Sequence, residues 1–293
     1  MRYLFLIFIL GLVGCGSTPY RDDYTKHINL ISNNYLDDDN FEFSFTENPN
    51  VDLRGLYSQN NTVGASPILY QGGAGVAGLL IQIGTHSSLI QSQRNEKLAK
   101  EQEQANKPIL PLINLTKEIQ LIDLIGRLSS QLVNLENTVS DTVKIKPIFF
   151  SNSDMTELSL KSIVWLPFQD ENKQQKQNLK YKNMIQVYSH TFSESQHNKL
   201  VSGDKEFLSE VLSSLLVTSL YITKNELTGQ FSKNRSPVQT FFINDGLDKK
   251  VIRGSIVGEK CGYQIIQDIH SWFIAYPDPK ITTDTNNDFT AQC

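Results

Sequence analysis

The rhythm of apolar and polar positions changes near Asp141. Downstream, residues 145–150, 158–166 and 179–192 are runs of β-branched and aromatic side chains separated by polar turns, a pattern that predicts strands. A helical rhythm interrupts from 204 to 223, where Leu208, Val211, Leu212, Leu215 and Leu216 share one face. Asp204 stands where an N-cap belongs, and Gly229 lies beyond the end. Strand patterns resume at 238–243, 251–257, 263–269 and 272–276. Strands on both sides of one helix, joined by hairpin-length connections, predict a mostly antiparallel sheet.

Upstream of Asp141 the periodicity is helical. No charged side chain occurs between Gly55 and Gln93, whereas the chain from Arg94 to Lys107 is strongly polar. One long helix is expected over 73–106, stopped by Pro108 and Pro111. A second is expected over 115–139, where Leu121, Ile125, Leu128, Leu132, Leu135 and Val139 alternate spacings of four and three, a heptad seam. The short Pro-Ile-Leu-Pro link makes the pair an antiparallel hairpin. The expected fold is therefore α+β, a long helical hairpin followed by a mostly antiparallel sheet with one packed helix. No internal repeat is visible. Ahead of the hairpin, 15–64 reads as a polar tether, with Tyr35, Phe41, Phe43 and Phe45 alternating as an edge strand would. The remaining divisions are a hairpin region at 65–140, an α+β domain at 141–278 and a polar tail at 279–293.

The first fourteen residues carry an address. Met1-Arg2-Tyr3 supplies one positive charge before an uncharged apolar run, Leu4 to Val13, the layout of an export signal. The run is too short to span the hydrocarbon core, which needs about 20 apolar residues. Leu12-Val13-Gly14-Cys15 resembles the lipobox of bacterial lipoproteins. That resemblance implies cleavage after Gly14 and a diacylglycerol on the Cys15 sulfur, with the new amino terminus acylated in many species. Gly16, where inner-membrane retention uses Asp, implies the periplasmic face of the outer membrane. Acyl burial contributes ~0.8 kcal/mol per CH2, and stable anchoring takes more than one chain.

A formal net charge of −4 with scattered Lys and Arg leaves no basic stripe, which argues against nucleic acid as a partner. Beyond Cys15 the chain has Cys261 and Cys293. In an oxidising compartment they are candidates for a disulfide of ~3–4 kcal/mol, pinning the tail to the last strands.

Motifs for chemistry are weak. Gly73 to Gly78 spells GxGxxG, but the dinucleotide fold needs a second strand ending in an acid about 20 residues on. That region reads as continuous helix, so the small residues are better explained by close helix packing. Ser202-Gly203-Asp204-Lys205 fits the SxxK outline of penicillin-recognising enzymes, yet KTG is absent. Helix capping explains it better. Asp37-Asp38-Asp39-Asn40 lacks the glycine and distal glutamate of a calcium loop. His27, His86, His190, His197 and His270 have no second His or Cys at metal-ligand spacing. No catalytic, metal or cofactor-binding residue is therefore nominated, and no cofactor is expected. Trp165 and Trp272 fall in expected strands. The expected function is a lipid-anchored, non-enzymatic module for protein interaction or self-association through the helical region. The alternatives are a carrier of an apolar ligand and a periplasmic hydrolase with a dispersed site.

Overall fold

The structure, a computed structural model, describes residues 42–45, 49–57, 96, 99–126, 142–167, 179–232, 235–245 and 248–278. Among these residues nine strands form one sheet: β1 (Glu42–Phe45), β2 (Leu53–Gly55), β3 (Thr142–Ser151), β4 (Leu158–Pro167), β5 (Leu179–Tyr188), β6 (Gln239–Asp245), β7 (Asp248–Lys260), β8 (Tyr263–Asp268) and β9 (Phe273–Pro277). The helices include α1 (Leu110–Thr116), α2 (Leu121–Ile125), α3 (Glu194–Ser202) and α4 (Lys205–Leu227).

The expected fold class is corrected on two counts. The sheet is mixed, ordered β1-β3-β4-β5-β9-β8-β7-β6 with β2 also on β3. β1 and β2 both run parallel to β3, and β9 runs parallel to β5. A parallel neighbour requires a long crossover. The chain supplies one between β5 and β9, through α3, α4 and the meander β6 to β8. β1 falls where Phe43 and Phe45 alternate, within the expected edge strand, whereas β2 comes from residues expected to be tether; the segment buries Phe43, Val51 and Leu53 in the main core.

The second correction concerns the helical hairpin. Pro111 does not link two long helices; it sits in the first turn of the seven-residue α1, where proline's missing N–H costs nothing. The chain then turns extended at Gln120 (φ −91°, ψ 145°). The backbone there pairs with an earlier segment: the Val51 amide donates to the Ile119 carbonyl at 3.0 Å, and the Leu121 amide to the Pro49 carbonyl at 2.7 Å. Those bonds replace the helical ones across 119–121. α2 ends after five residues at Gly126, which takes φ +20°. Leu121 and Ile125 are buried in the sheet-facing core, while Leu128 to Val139 lie outside the described residues, as do 73–95 of the expected first helix. Residues 99–106 are helical.

One main core fills the space between the sheet and the helices. Leu208, Leu212, Leu216, Leu220 and Ile222 of α4 have no exposed surface, and they meet Leu160, Val164, Ile185 and Val187 of β4 and β5 in that cluster. Each such side chain contributes ~1.5–3 kcal/mol by leaving water. α4 is long and apolar enough, by length and composition, to cross a membrane; here it is the core helix. Its start is set locally. The Asp204 carboxylate accepts from the Phe207 amide at 3.0 Å, and Gly203, at φ +84°, closes α3 just before it. α3 opens with a capping box between Ser193 and Gln196.

Candidate interaction surface

The sheet has two faces because successive side chains on a strand point to opposite sides. The helix-covered face carries Leu158, Leu160, Val164, Ile185, Val187 and Ala275. Its cover extends across to Val257, Tyr263 and Ile265, where Phe231, beside the end of α4, lies 5.4 Å from the Phe273 ring. Beyond that line the same face is open. Phe242 and Val251, directly opposite each other on β6 and β7, are 71% and 60% exposed. Val238 and Ile269 are 57% and 62% exposed, and the Ile269 amide donates to the Arg253 carbonyl at 3.0 Å. Lys249 and Arg253 stand two positions either side of Val251, hence on the same face, and both are exposed. Arg235 reaches the Gln267 side-chain oxygen near by. Exposed apolar residues are ordinary singly. A cross-strand pair on the last two strands, flanked by two cations, is a patch with a defined chemistry.

The opposite face is polar in its middle. Register places Phe150, Ser159 and Tyr188 in one row and Ile148, Lys161, Gln186 and Ile274 in the next. Gln186 donates to the Tyr188 hydroxyl at 2.6 Å. The Lys161 ammonium lies 4.9 Å from the Phe150 ring centre, and Tyr188 meets Tyr276 edge-on at 5.6 Å. The Ser159 hydroxyl is buried without a hydrogen-bond partner. At the end of this face, burial raises the Glu157 carboxyl above its ordinary range; a hydrogen bond from Thr191 at 2.7 Å opposes the shift, and the Asp245 carboxylate adds to it.

The other titratable groups are dispersed. Burial pushes His190 down, and its ring stands edge-on to Tyr263 at 5.5 Å. His197 Nε2 lies 2.9 Å from the Asp154 carbonyl. His270 leans on Trp272 at 5.5 Å between ring centres. Among the described residues no three His, Cys, Asp or Glu side chains converge on a metal position. The SxxK outline does not assemble: the Ser202 hydroxyl donates to the Lys199 carbonyl at 2.9 Å, and the Lys205 ammonium goes to Glu118 at 3.0 Å. His27, His86 and the GxGxxG stretch lie outside the described residues.

Of the site residues expected from sequence, Cys15 and Cys293 also lie outside the described residues. Cys261 is disulfide-bonded. It sits with Gly262 in the two-residue turn between β7 and β8, and both have positive φ, +52° and +79°. That is the type I′ geometry whose twist suits a hairpin. The exposed apolar end of the sheet escaped sequence reading, although Phe241-Phe242-Ile243 carries a signal. Apolar residues on both faces of an edge strand leave one of them uncovered. No family model, curated protein or solved structure matches the chain.

Proposed function

We propose that this protein is a lipid-anchored, non-enzymatic interaction module of the bacterial envelope. Acyl chains on Cys15 would hold it at the periplasmic face of the outer membrane, and the open face of β6 and β7 would engage another protein. The observation that carries this reading is the exposed Phe242–Val251 pair with Val238 and Ile269 beside it. Apolar anchors within a polar rim are the usual core of a protein–protein contact. The anchor half of the reading rests on the lipobox resemblance of Leu12-Val13-Gly14-Cys15. A Cys261–Cys293 bond fits the same picture by tying the chain's last residues to the hairpin tip.

A photo-crosslinking residue placed at 242, with Val201 as an equally accessible control (52% exposed), tests the interaction in living cells. A discrete protein adduct formed from position 242 and absent from 201 is expected. Equal labelling from both positions, or none from 242, contradicts the reading. Cys15→Ala should release the protein from the membrane fraction, and unchanged membrane retention would contradict the anchor.

A further inference from the structure

The geometry points to β6 as an open docking edge for an extended, acidic segment of a partner protein, which joins the sheet as a further strand. This inference rests on the interaction reading above and names the partner's chemistry.

The first support is backbone direction. Among the described residues, β6 ends the sheet order and pairs with β7 on one side only. The Asn244 amide points away from β7, since it donates to the Tyr276 hydroxyl at 3.4 Å. Backbone polar groups alternate sides along an antiparallel strand. Thr240 and Phe242 therefore also present their N–H and C=O groups to the open side.

The second support is the contrast between the two ends of the sheet. At β2 the edge is covered by side chains: Asn106 accepts from the Gly55 amide at 2.8 Å, and Gln102 donates to the Gly55 carbonyl at 2.9 Å. Natural proteins guard free edges with such covers, or with charges, prolines and bulges. From Gln239 to Asn244, β6 has no charged residue and no proline, and its pairing with β7 has no register shift. Pro237 lies outside the strand. The Tyr276 hydroxyl covers the Asn244 amide at one end; from Gln239 to Ile243 the edge lacks these devices, which matches strand addition, in which main-chain bonds give affinity and alternate side chains give specificity.

The third support is charge. Lys249 and Arg253 flank the apolar pair, and the outward face of this ribbon carries no carboxylate among its described side chains. Two copies joined through β6 would place four cations on one face with no acid between them. An incoming strand with apolar residues over Phe242 and Val251, and Glu or Asp beside Lys249 and Arg253, satisfies both features.

The test uses the lipidated protein in detergent and two labelled peptides, Thr-Glu-Thr-Val-Thr-Glu-Thr and Thr-Lys-Thr-Val-Thr-Lys-Thr, whose valine and charged residues share one face of an extended strand, followed by fluorescence anisotropy. The acidic peptide is expected to bind at least tenfold more tightly. Lys249→Glu with Arg253→Glu should reverse the preference. Thr240→Pro should abolish binding, because it removes an outward donor; the bonds to β7 survive, since Thr240 does not use its amide there. Circular dichroism of each variant confirms the fold. Equal affinity for both peptides, no binding of either, or full binding by Thr240→Pro overturns the inference. So does a dimer abolished by Thr240→Pro, which assigns the edge to a second copy. Competition between the peptide and vesicles of anionic phospholipid assigns the surface to a bilayer and overturns it as well. Failed peptide binding with a surviving adduct at position 242 removes strand addition alone; loss of both removes the interaction reading too.

Discussion

Glu226 sits in the last turn of the core helix with only 6% of its surface exposed. Burial pushes its carboxyl from the ordinary 4.5 up to about 7, against the opposing pull of the Arg235 guanidinium. Between those two values the folded protein holds the proton more tightly than the unfolded chain does. Stability from this group is therefore lost as the pH rises from about 4.5 to 7, and the loss levels off above. A shift of one pKa unit corresponds to about 1.4 kcal/mol, so the loss at pH 8 is on the order of 3 kcal/mol. At pH 5 it is roughly 1 kcal/mol, because little of the window has been crossed. Glu226→Gln removes the titration and keeps the shape. Urea unfolding of both proteins at pH 5 and pH 8 should show the Gln variant gaining about 2 kcal/mol more advantage at pH 8. Arg235→Ala should widen that gap, since its opposing charge is gone. A difference independent of pH, or a Gln variant less stable at pH 8, refutes the assignment of a buried, proton-holding carboxyl.

Three further substitutions probe the frame. Leu212→Ala empties a fully buried position in α4 and should cost about 2–5 kcal/mol by urea denaturation; exposed Val201→Ala should stay within about 0.5 kcal/mol. Asp204→Ala removes the bond to the Phe207 amide and should cost about 1 kcal/mol, while Asp204→Asn should be nearly neutral. Gly55→Ala drives a methyl into the Ala105 carbonyl, so it should destabilise by about 1–3 kcal/mol. Limited proteolysis should show the first cuts of that variant within 99–106, and unchanged cleavage there would contradict the packing of this segment on β2.

Local signals carried much of this architecture, and non-local pairing carried the rest. The strands from β3 to β9 follow the alternation and β-branched content of their own residues, and α4 follows its leucine spacing and the Asp204 cap. α3 had an equally local signal, Ser193 with Gln196 three residues on and Gly203 after the end, but it was hidden behind the strand pattern running into Phe192. The hairpin expectation failed because Leu121 and Ile125 suit a helical seam as well as a core edge. What decides is the pairing of Ile119 and Leu121 with residues some seventy positions earlier, which no local window contains. The parallel neighbours of β3 and β5 are non-local in the same sense. The candidate surface was legible only in part. Phe241-Phe242-Ile243 reads as a strand buried on both sides, whereas Ile243 is buried at 1% exposure and Phe242 faces solvent at 71%. That difference depends on where α4 stops covering the sheet.

Among the described residues β6 is an edge strand with β7 as its one neighbour, and residue-resolved amide hydrogen exchange of the free protein measures that directly. Amides bonded into the ladder should be protected, and those facing the open side should exchange as in an unpaired strand. Phe241 and Ile243 are therefore expected to exchange slowly, with Thr240 and Phe242 fast between them. Slow exchange at all four positions would mean the edge is already occupied, and would contradict the account.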